Sequence, residues 1–564
     1  MNTKSLPSSS TVNGLTHDIS SIQQRFVDFN KLRLQRIQSF LPLRQQPFLK
    51  LLPLLFHENN PALPGFISAD TPAGITLYTP NKETLSIAQA LQDEGIYQSA
   101  PADKCLIQGI YLMGSVSSLA FSKNSDIDIW LCHEPSLSAV EKHKLQEKTT
   151  AIEHWASQLD IEAHFFPIDS DAFLKDQKPP LSADSSGQTQ HYLLLEEFYR
   201  TAIHIAGRTP IWWLVPPEEE KNYTAYIHQL KSSELIDEQT VIDFGSLENI
   251  PADEFISSTL WHLYKSLDAP YKSLLKLLLM QCYESEYPNP AWVSLELKKA
   301  IYQDQYSIDA LDPYVLIYHK LEAYFQPFEQ PEQLNFIRQC FYLKIMGDME
   351  EQNNPKSNAY RQALLEELAE QYQWDEKIFA RLTKNSTWTI KKASQENDLI
   401  IQQLKQYYLM VSRFAETNSL SSKHQDIQLI GRKLKSFLQK RPGKIDMITT
   451  RAAIHCKHNE LTLIDSPTSL LHPQWNLYPH FVAQDNPYDI APFKQGARSL
   501  VELLTWLLMN GLYKKTLQLH IHSHQLFLSE SSIDYTLSIL REFLLTRNMN
   551  TSPSLLSFKQ PNRT

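Results

Sequence analysis

The stretch YLMGSVSSLAFSKNSDIDIWLCHEP, residues 111–135, decides how this chain is read. A Gly-Ser pair ends one apolar run, and two aspartates one residue apart open the next. Asp126 and Asp128 sit among Ile127, Ile129, Trp130 and Leu131, which call for burial. In a strand alternate residues share a face, so both carboxylates point the same way, close enough to repel each other. Something positive should sit between them.

Around this stretch the pattern predicts a sheet with helices. CLIQGIYLM (105–113) reads as a strand ending at Gly114, and DIDIWLCH (126–133) as a second. A long helix over 138–159 starts from a Ser cap. IEAHFFPI (161–168) is the third strand, with Glu162 and His164 on one face. The spacing then predicts a helix over 190–207 closed by Gly207 and a short strand at 210–215, with Pro216 and Pro217 marking a boundary. Upstream, residues 22–57 are helical in pattern, broken by Pro42 and Pro53, and GITLYTP (74–80) reads as a short strand. From about 253 to 440 the spacing is helical almost throughout. Beyond 444, ELTLIDS and LQLHIHSHQLFLS read as strands flanking a helix at 499–513.

Composition sets the class. The 564 residues exceed what one core usually serves. A division follows into a disordered tail (1–20), an N-terminal helical segment (21–100), a core (101–216), a helical domain contributing to the site (217–445) and a small mixed α/β domain (446–564). Net charge is -10, with 53 Lys+Arg against 63 Asp+Glu, which argues against a broad nucleic-acid surface. The five scattered cysteines lack CxxC spacing and read as reduced, mostly buried thiols of a cytosolic protein. The N-terminus lacks a signal-peptide core, and the most apolar runs are short and carry Lys or Glu. We expect a cytoplasmic protein with no membrane insertion.

The Gly-Ser turn, the Asp-x-Asp strand and a third acidic strand together resemble the nucleotidyltransferase superfamily related to polymerase β. That resemblance implies an α/β nucleotidyltransferase (polymerase-β-like) core with large, mainly α-helical flanking domains. Gly114 would permit close backbone approach, and Ser115 with adjacent N–H groups would cradle terminal phosphates. Asp126 and Asp128 would hold two Mg²⁺ ions roughly 3.5–4 Å apart, with Mn²⁺ as an alternative. Glu162 is the third candidate ligand and would help take a hydroxyl proton. Asp169 is its rival, although its place before SDAF suits a helix cap.

Three blocks sharpen the resemblance: GIYLMGSVSSLAFSKNSDIDIWLCH (109–133), GQTQHYLLLEEFYRTAIHIAG (187–207) and DEFISSTLWHLYKSLDAPYKSLLKLLLMQCYESEYPNP (253–290). They look like the matching blocks of the class I (enterobacterial-type) adenylate cyclases. The third is close to that family's signature E-[YF]-F-G-[SA]-[SA]-L-W-x-L-Y-K, with Phe255, Ile256 and Ser257 where Tyr-Phe-Gly is usual and Thr259 for a small residue. Further similarity lies in LPGFISADTPAGITLYTP (63–80), LDPYVLIYHKLEAY (311–324) and FIRQCFYLKIM (336–346), and fades after about 450. Family members usually continue into a long regulatory region with a second signature, Y-R-N-x-W-[NS]-E-[LIVM]-R-T-L-H-F, which this sequence lacks. The expectation is a shortened or truncated member, with a regulatory protein partner left open.

Lys265, inside the signature, and Lys272 and Lys276, one helical turn apart, are candidates for the triphosphate; the alternative is a solvated helix face. Arg200 reaches a phosphate or pairs with Glu196 or Glu197 on its own helix. His191 touches the nucleotide or makes a helix-start hydrogen bond. His520, His522 and His524 alternate on a half-exposed strand, a poor zinc site, and IWWLV reads as core. The expected function is conversion of ATP to 3′,5′-cyclic AMP and pyrophosphate by two-metal, in-line attack of the 3′-hydroxyl on the α-phosphate. The alternatives are a nucleotidyltransferase modifying a protein or small-molecule acceptor, and a catalytically silent nucleotide-binding regulator.

Overall fold

The computed structural model describes residues 9–92, 96–100, 102–122, 125–175, 191–248, 250–267, 269–328, 330–347, 355–383, 389–418, 424–439, 444–448, 459–465, 475–482, 493–513, 517–523 and 530–546. The chain forms two compact units, Met1–Ser258 with Leu278–Trp374, and Thr259–Leu277 with Asp375–Thr564.

The first unit is built on four strands: β1 (Ile107–Met113), β2 (Ile127–His133), β3 (Ala163–Asp169) and β4 (Ile203–Gly207), in the order β3-β2-β1-β4. β1 runs antiparallel to β2 and β4, and β2 parallel to β3. Strand alternation explains the opening paradox. Ile127, Ile129 and Leu131 share a face with Ile110, Leu112 and Phe165 in one buried core. That core takes in Phe48, Leu52 and Phe56 of the Gln46–His57 helix and Leu145, Ile152 and Ala156 of the Ala139–Gln158 helix. The opposite face carries Asp128 at the edge and Trp130 further along, where Trp130 stacks on Phe198 at 4.4 Å. The expected Ser138 cap of the Ala139–Gln158 helix is present, and Glu141, not foreseen, reciprocates it.

Several expectations are corrected. The helix expected over 190–207 spans Tyr192–Thr201, and Ala202 turns extended so that residues 203–207 become β4. Gly207 closes no helix: its φ is +93°, and a Cβ there would fall 2.3 Å from Gln108 O, so only glycine lets β4 approach β1 so closely. The expected strand at 210–215 is a two-residue strand β5 (Thr209–Pro210), paired with β6 (Val241–Ile242), followed by a 3₁₀ turn over Ile211–Leu214. GITLYTP contributes one bridge, Ile75 to Ile107. The first helix runs Ser9–Phe40 and so enters the expected tail. Pro53 does not break the Gln46–His57 helix; the neighbours on both sides are buried, and their packing outweighs the lost hydrogen bond.

In the second unit β7 (Glu460–Asp465), β8 (Trp475–Tyr478), β9 (Phe493–Ala497) and β10 (Gln518–His522) form a sheet in the order β10-β7-β8-β9, with helices at Leu500–Met509 and Glu530–Thr546. β7 and β10 fall in the two expected strands. β8 and β9 were not foreseen. Cys132, Cys282 and Cys340 are buried thiols in no disulfide, and Cys105 is an exposed one; Cys456 lies outside the described residues. Among the described residues no helix is long and apolar enough to cross a membrane.

Candidate active site

The site grows from the turn between β1 and β2. Register places Met113 opposite Asp128. Gly114 then takes a φ of +80°, and the chain makes a single 3₁₀ turn over Gly114–Ser117. The Gly114 N–H donates to Thr201 Oγ1 at 3.0 Å, and the Thr201 hydroxyl donates to Glu197 O at 2.7 Å. A Cβ on Gly114 would stand 3.4 Å from Asp128 Oδ2, so the missing side chain leaves the carboxylate open toward the turn. Ser115 is buried, and its carbonyl accepts from the Ser118 N–H and hydroxyl.

Parallel pairing brings in β3. Asp128 is in register with His164, and the Ile127 N–H donates to Glu162 O at 2.8 Å, which extends the pairing by one residue. Asp126, Asp128, Glu162 and His164 therefore share one face at the start of these strands. The two aspartates are half-buried, whereas Glu162 and His164 are exposed and in contact, His164 Nε2 to Glu162 Oε1 at 3.2 Å. Among the described residues no three His, Cys, Asp or Glu side chains are gathered into a ready metal cage. His164 was not read as a site residue, although the alternation that picked out Glu162 puts it on the same face.

Arg200 makes the pair on its own helix. Its guanidinium lies 3.3 Å from Glu196, and both are buried. Tyr283 OH and the Ser294 N–H also donate to Glu196. Burial opposes the Arg200 charge, but Glu196 and Glu197 more than offset it and hold the group above its ordinary value. Arg33, missed in the sequence, closes the far end of this helix by donating to the Thr201 and Ala202 carbonyls at 2.7 and 3.0 Å. Burial, then the neighbouring Arg36, lowers the Arg33 pKa to about 9. The backbone N–H groups of His191, Tyr192 and Leu193 donate to the Glu254 carboxylate at the helix start. Asp169 caps the next short helix through the Ala172 N–H and pairs with Lys142 at 3.1 Å.

Trp212 is core: it is fully buried and stacked on Tyr199 at 4.2 Å. His520 meets Glu460 at 3.5 Å, and His522 Nε2 meets Val482 O at 2.9 Å; His524 lies outside the described residues. Gly114, Ser115, Asp126, Asp128 and Glu162 are brought together at one end of the four-stranded sheet. Lys265, Lys272 and Lys276 belong to the second unit. There the Lys265 ammonium lies 4.9 Å over the Trp261 ring, and Lys272 and Lys276 are half-buried on the Pro270–Ser285 helix.

Three family models match in succession: residues 18–213 match "Adenylate cyclase NT domain", residues 250–449 "Adenylate cyclase, class-I, second domain", and residues 456–548 "Adenylate cyclase, class-I, third domain". The similarity thus continues past 450, where the sequence blocks fade. Among curated proteins, an adenylate cyclase of Yersinia intermedia is 33% identical over 514 residues, covering 90% of this chain and 60% of that protein. The Escherichia coli (strain K12) adenylate cyclase is 32% identical over 511 residues, covering 89% and 60%. That of Proteus mirabilis is 33% identical over 514 residues, covering 89% and 59%. The chain spans about 60% of the length of the curated relatives it matches. No solved structure matches.

Proposed function

The chain belongs to the class I adenylate cyclase family, and from that premise we propose that it converts ATP to 3′,5′-cyclic AMP and pyrophosphate on a nucleotidyltransferase-type core. The observation that carries the reading is the shared face: Asp126 one position before β2, Asp128 on it, Glu162 one position before β3, and the Gly114 turn, where a Cβ would stand 3.4 Å from Asp128 Oδ2. Two half-buried aspartates on one face repel each other, and a cation bound between them would relieve that repulsion.

Divalent metal suits this donor set. All the carboxylate oxygens are hard donors, and the space beside Gly114 leaves Asp128 accessible. Asp126 and Asp128 would hold Mg²⁺, or Mn²⁺ in its place, with Glu162 drawn in from its contact with His164. When bound, two such ions would supply the positive charge that polarises the α-phosphate and neutralises the departing pyrophosphate. The Gly114 turn brings backbone close to the β- and γ-phosphates, since no side chain stands in the way. The 3′-oxygen bonds to the α-phosphorus as the bond from that phosphorus to the bridging oxygen breaks. The electron pair leaves with pyrophosphate, and the hydroxyl proton passes to Glu162 or to solvent. Lys265, Lys272 and Lys276 are proposed, on the family resemblance alone, as sources of positive charge for the triphosphate. The reaction needs a single substrate, ATP, takes place in the cytoplasm and requires neither nucleic acid nor membrane.

The test is product analysis. Purified chain is incubated with ATP and Mg²⁺, and the nucleotides are separated. Cyclic AMP and pyrophosphate in equal amounts are expected. A nucleotide label on an acceptor, with no free cyclic AMP, would contradict the cyclase reading.

A further inference from the structure

We propose that Arg36 and Asp312 are positioning residues that fix the loop following Gly114, and through it the binding of the triphosphate; this rests on the cyclase reading of the Gly114 turn. Asp312 is fully buried, and each of its oxygens is used. Oδ1 accepts from the Tyr314 N–H at 2.9 Å and caps the Pro313–Phe325 helix. Oδ2 accepts from Arg36 Nη2 at 2.7 Å and from the Leu119 N–H at 2.7 Å. The same Arg36 nitrogen donates to Ser117 O at 2.9 Å. One ion pair therefore holds a carbonyl and an N–H of a loop whose first residue, Gly114, borders Asp128.

The grip continues along the loop. Lys344 Nζ donates to Ala120 O at 3.2 Å, and Arg361 Nη2 donates to Phe121 O at 2.5 Å. Three cations from three separate helices thus hold the carbonyls of Ser117, Ala120 and Phe121. The carboxylates facing them are Asp312 and Asp309, the latter 3.6 Å from Arg36 Nη1. A loop that only had to be folded could be satisfied by turn hydrogen bonds to itself. This one has such bonds, among them Phe121 N–H to Ser118 O, and is anchored as well by buried charges, which cost desolvation and are sensitive to loss of one partner. What such anchoring secures is a fixed position for the Gly114 backbone against Asp126 and Asp128, and small displacements there are costly to binding and catalysis.

The experiment compares two ion pairs. Asp312→Asn keeps the shape and the Tyr314 contact but weakens the hold on Arg36 and Leu119. Arg36→Lys keeps the charge and loses the fork that reaches Ser117 O and Asp312 together. Glu322→Gln disrupts a comparable buried pair with Arg338, 2.7 Å, that touches no residue of the loop. Each is measured for melting temperature, for KM and kcat with ATP, and for binding of a non-cyclisable ATP analogue by calorimetry. The expected result is a rise of at least about tenfold in KM and in the analogue's Kd for Asp312→Asn, and a smaller rise for Arg36→Lys. Glu322→Gln should lower the melting temperature while both constants stay within about twofold. Should Asp312→Asn fail to fold, Arg36→Lys carries the comparison. Unchanged KM and Kd in the loop variants, or an equal rise in Glu322→Gln, overturns the proposal. A wild-type chain that binds the analogue but forms no cyclic AMP overturns the cyclase reading, and the Kd comparison still decides the positioning role. A wild-type chain that binds no nucleotide overturns both.

Discussion

Gly114 and Asp128 face each other across the β1–β2 edge, and the absent Cβ of the one leaves 3.4 Å to the carboxylate oxygen of the other. Gly114→Ala therefore has two effects. A φ of +80° strains an L-residue by on the order of 1–2 kcal/mol, and the new methyl fills the open side of the carboxylate at van der Waals contact. We expect a melting temperature lowered by a few degrees and cyclase activity lowered at least about tenfold. Activity near wild type would show that the turn does not border the reacting groups.

Asp126→Asn and Asp128→Asn test the metal pair directly. Each should reduce turnover by about a thousandfold or more, since metal catalysis supplies several kcal/mol to the transition state. Folding should survive, because one of two repelling carboxylates is gone. Mg²⁺ should raise the melting temperature of the wild-type chain and leave that of either variant unmoved, as a ligand stabilises only the state that binds it. A variant retaining more than a tenth of the activity would contradict the assignment.

The Glu196–Arg200 pair makes a different prediction. Arg200→Met leaves the buried Glu196 carboxylate, among the described residues, with the Tyr283 hydroxyl and the Ser294 N–H alone. Breaking a buried pair in this way costs about 3–5 kcal/mol. Urea unfolding should show that loss. A phosphate-binding arginine would give the reverse, wild-type stability with weakened ATP binding.

Lys148 yields a pH dependence. It is 1% exposed, with Nζ 3.4 Å from Glu58 O, and burial pushes its pKa down from 10.5 to about 8. The folded value lies below the unfolded one, so between about pH 8 and 10.5 the unfolded chain carries the extra proton and stability from this site rises with pH. Below pH 8 the whole cost of burying the charge is present. Lys148→Met should thus raise the melting temperature at pH 7, with a gain that shrinks toward pH 10.5. Thermal melts across that range check it; a constant difference, or a loss at pH 7, would be contrary.

The local parts of this site are legible in the sequence. The apolar run before Gly114, the alternation through Asp126 and Asp128 and the Ser138 cap each follow from residues a few positions apart. What is not legible depends on distant partners. β4 follows a helix with no break residue, and it becomes a strand because β1 offers it an edge. Ile211–Leu214 has the composition of a strand, yet it coils into a turn that lays Trp212 on Tyr199 and gives its indole N–H to Glu220. The Arg36–Asp312 contact spans 276 positions, and neither residue carries a local signal of what it holds.

Lys265 is where the functional and structural readings separate most cleanly. It is exposed at the end of the Ala252–Lys265 helix, and its ammonium lies 4.9 Å over the Trp261 ring. An exposed cation–π contact of this kind is worth about 0.5–1 kcal/mol. If Lys265 did no more than cover Trp261, Lys265→Ala would move stability by that much and leave kinetics alone. A phosphate contact predicts otherwise: a charge-assisted bond worth on the order of 1.5–3 kcal/mol is lost. Part of that bond tightens as charge gathers on the departing pyrophosphate, so kcat should fall together with a rise in KM. Lys265→Arg should rescue stability fully, since a guanidinium also stacks on indole, but should rescue rate only in part, because a planar fork does not reproduce the reach of a compact ammonium. Steady-state rates and melts for the two variants resolve the matter. Wild-type kinetics in Lys265→Ala would end the phosphate-binding role and leave Lys265 as a cover for Trp261.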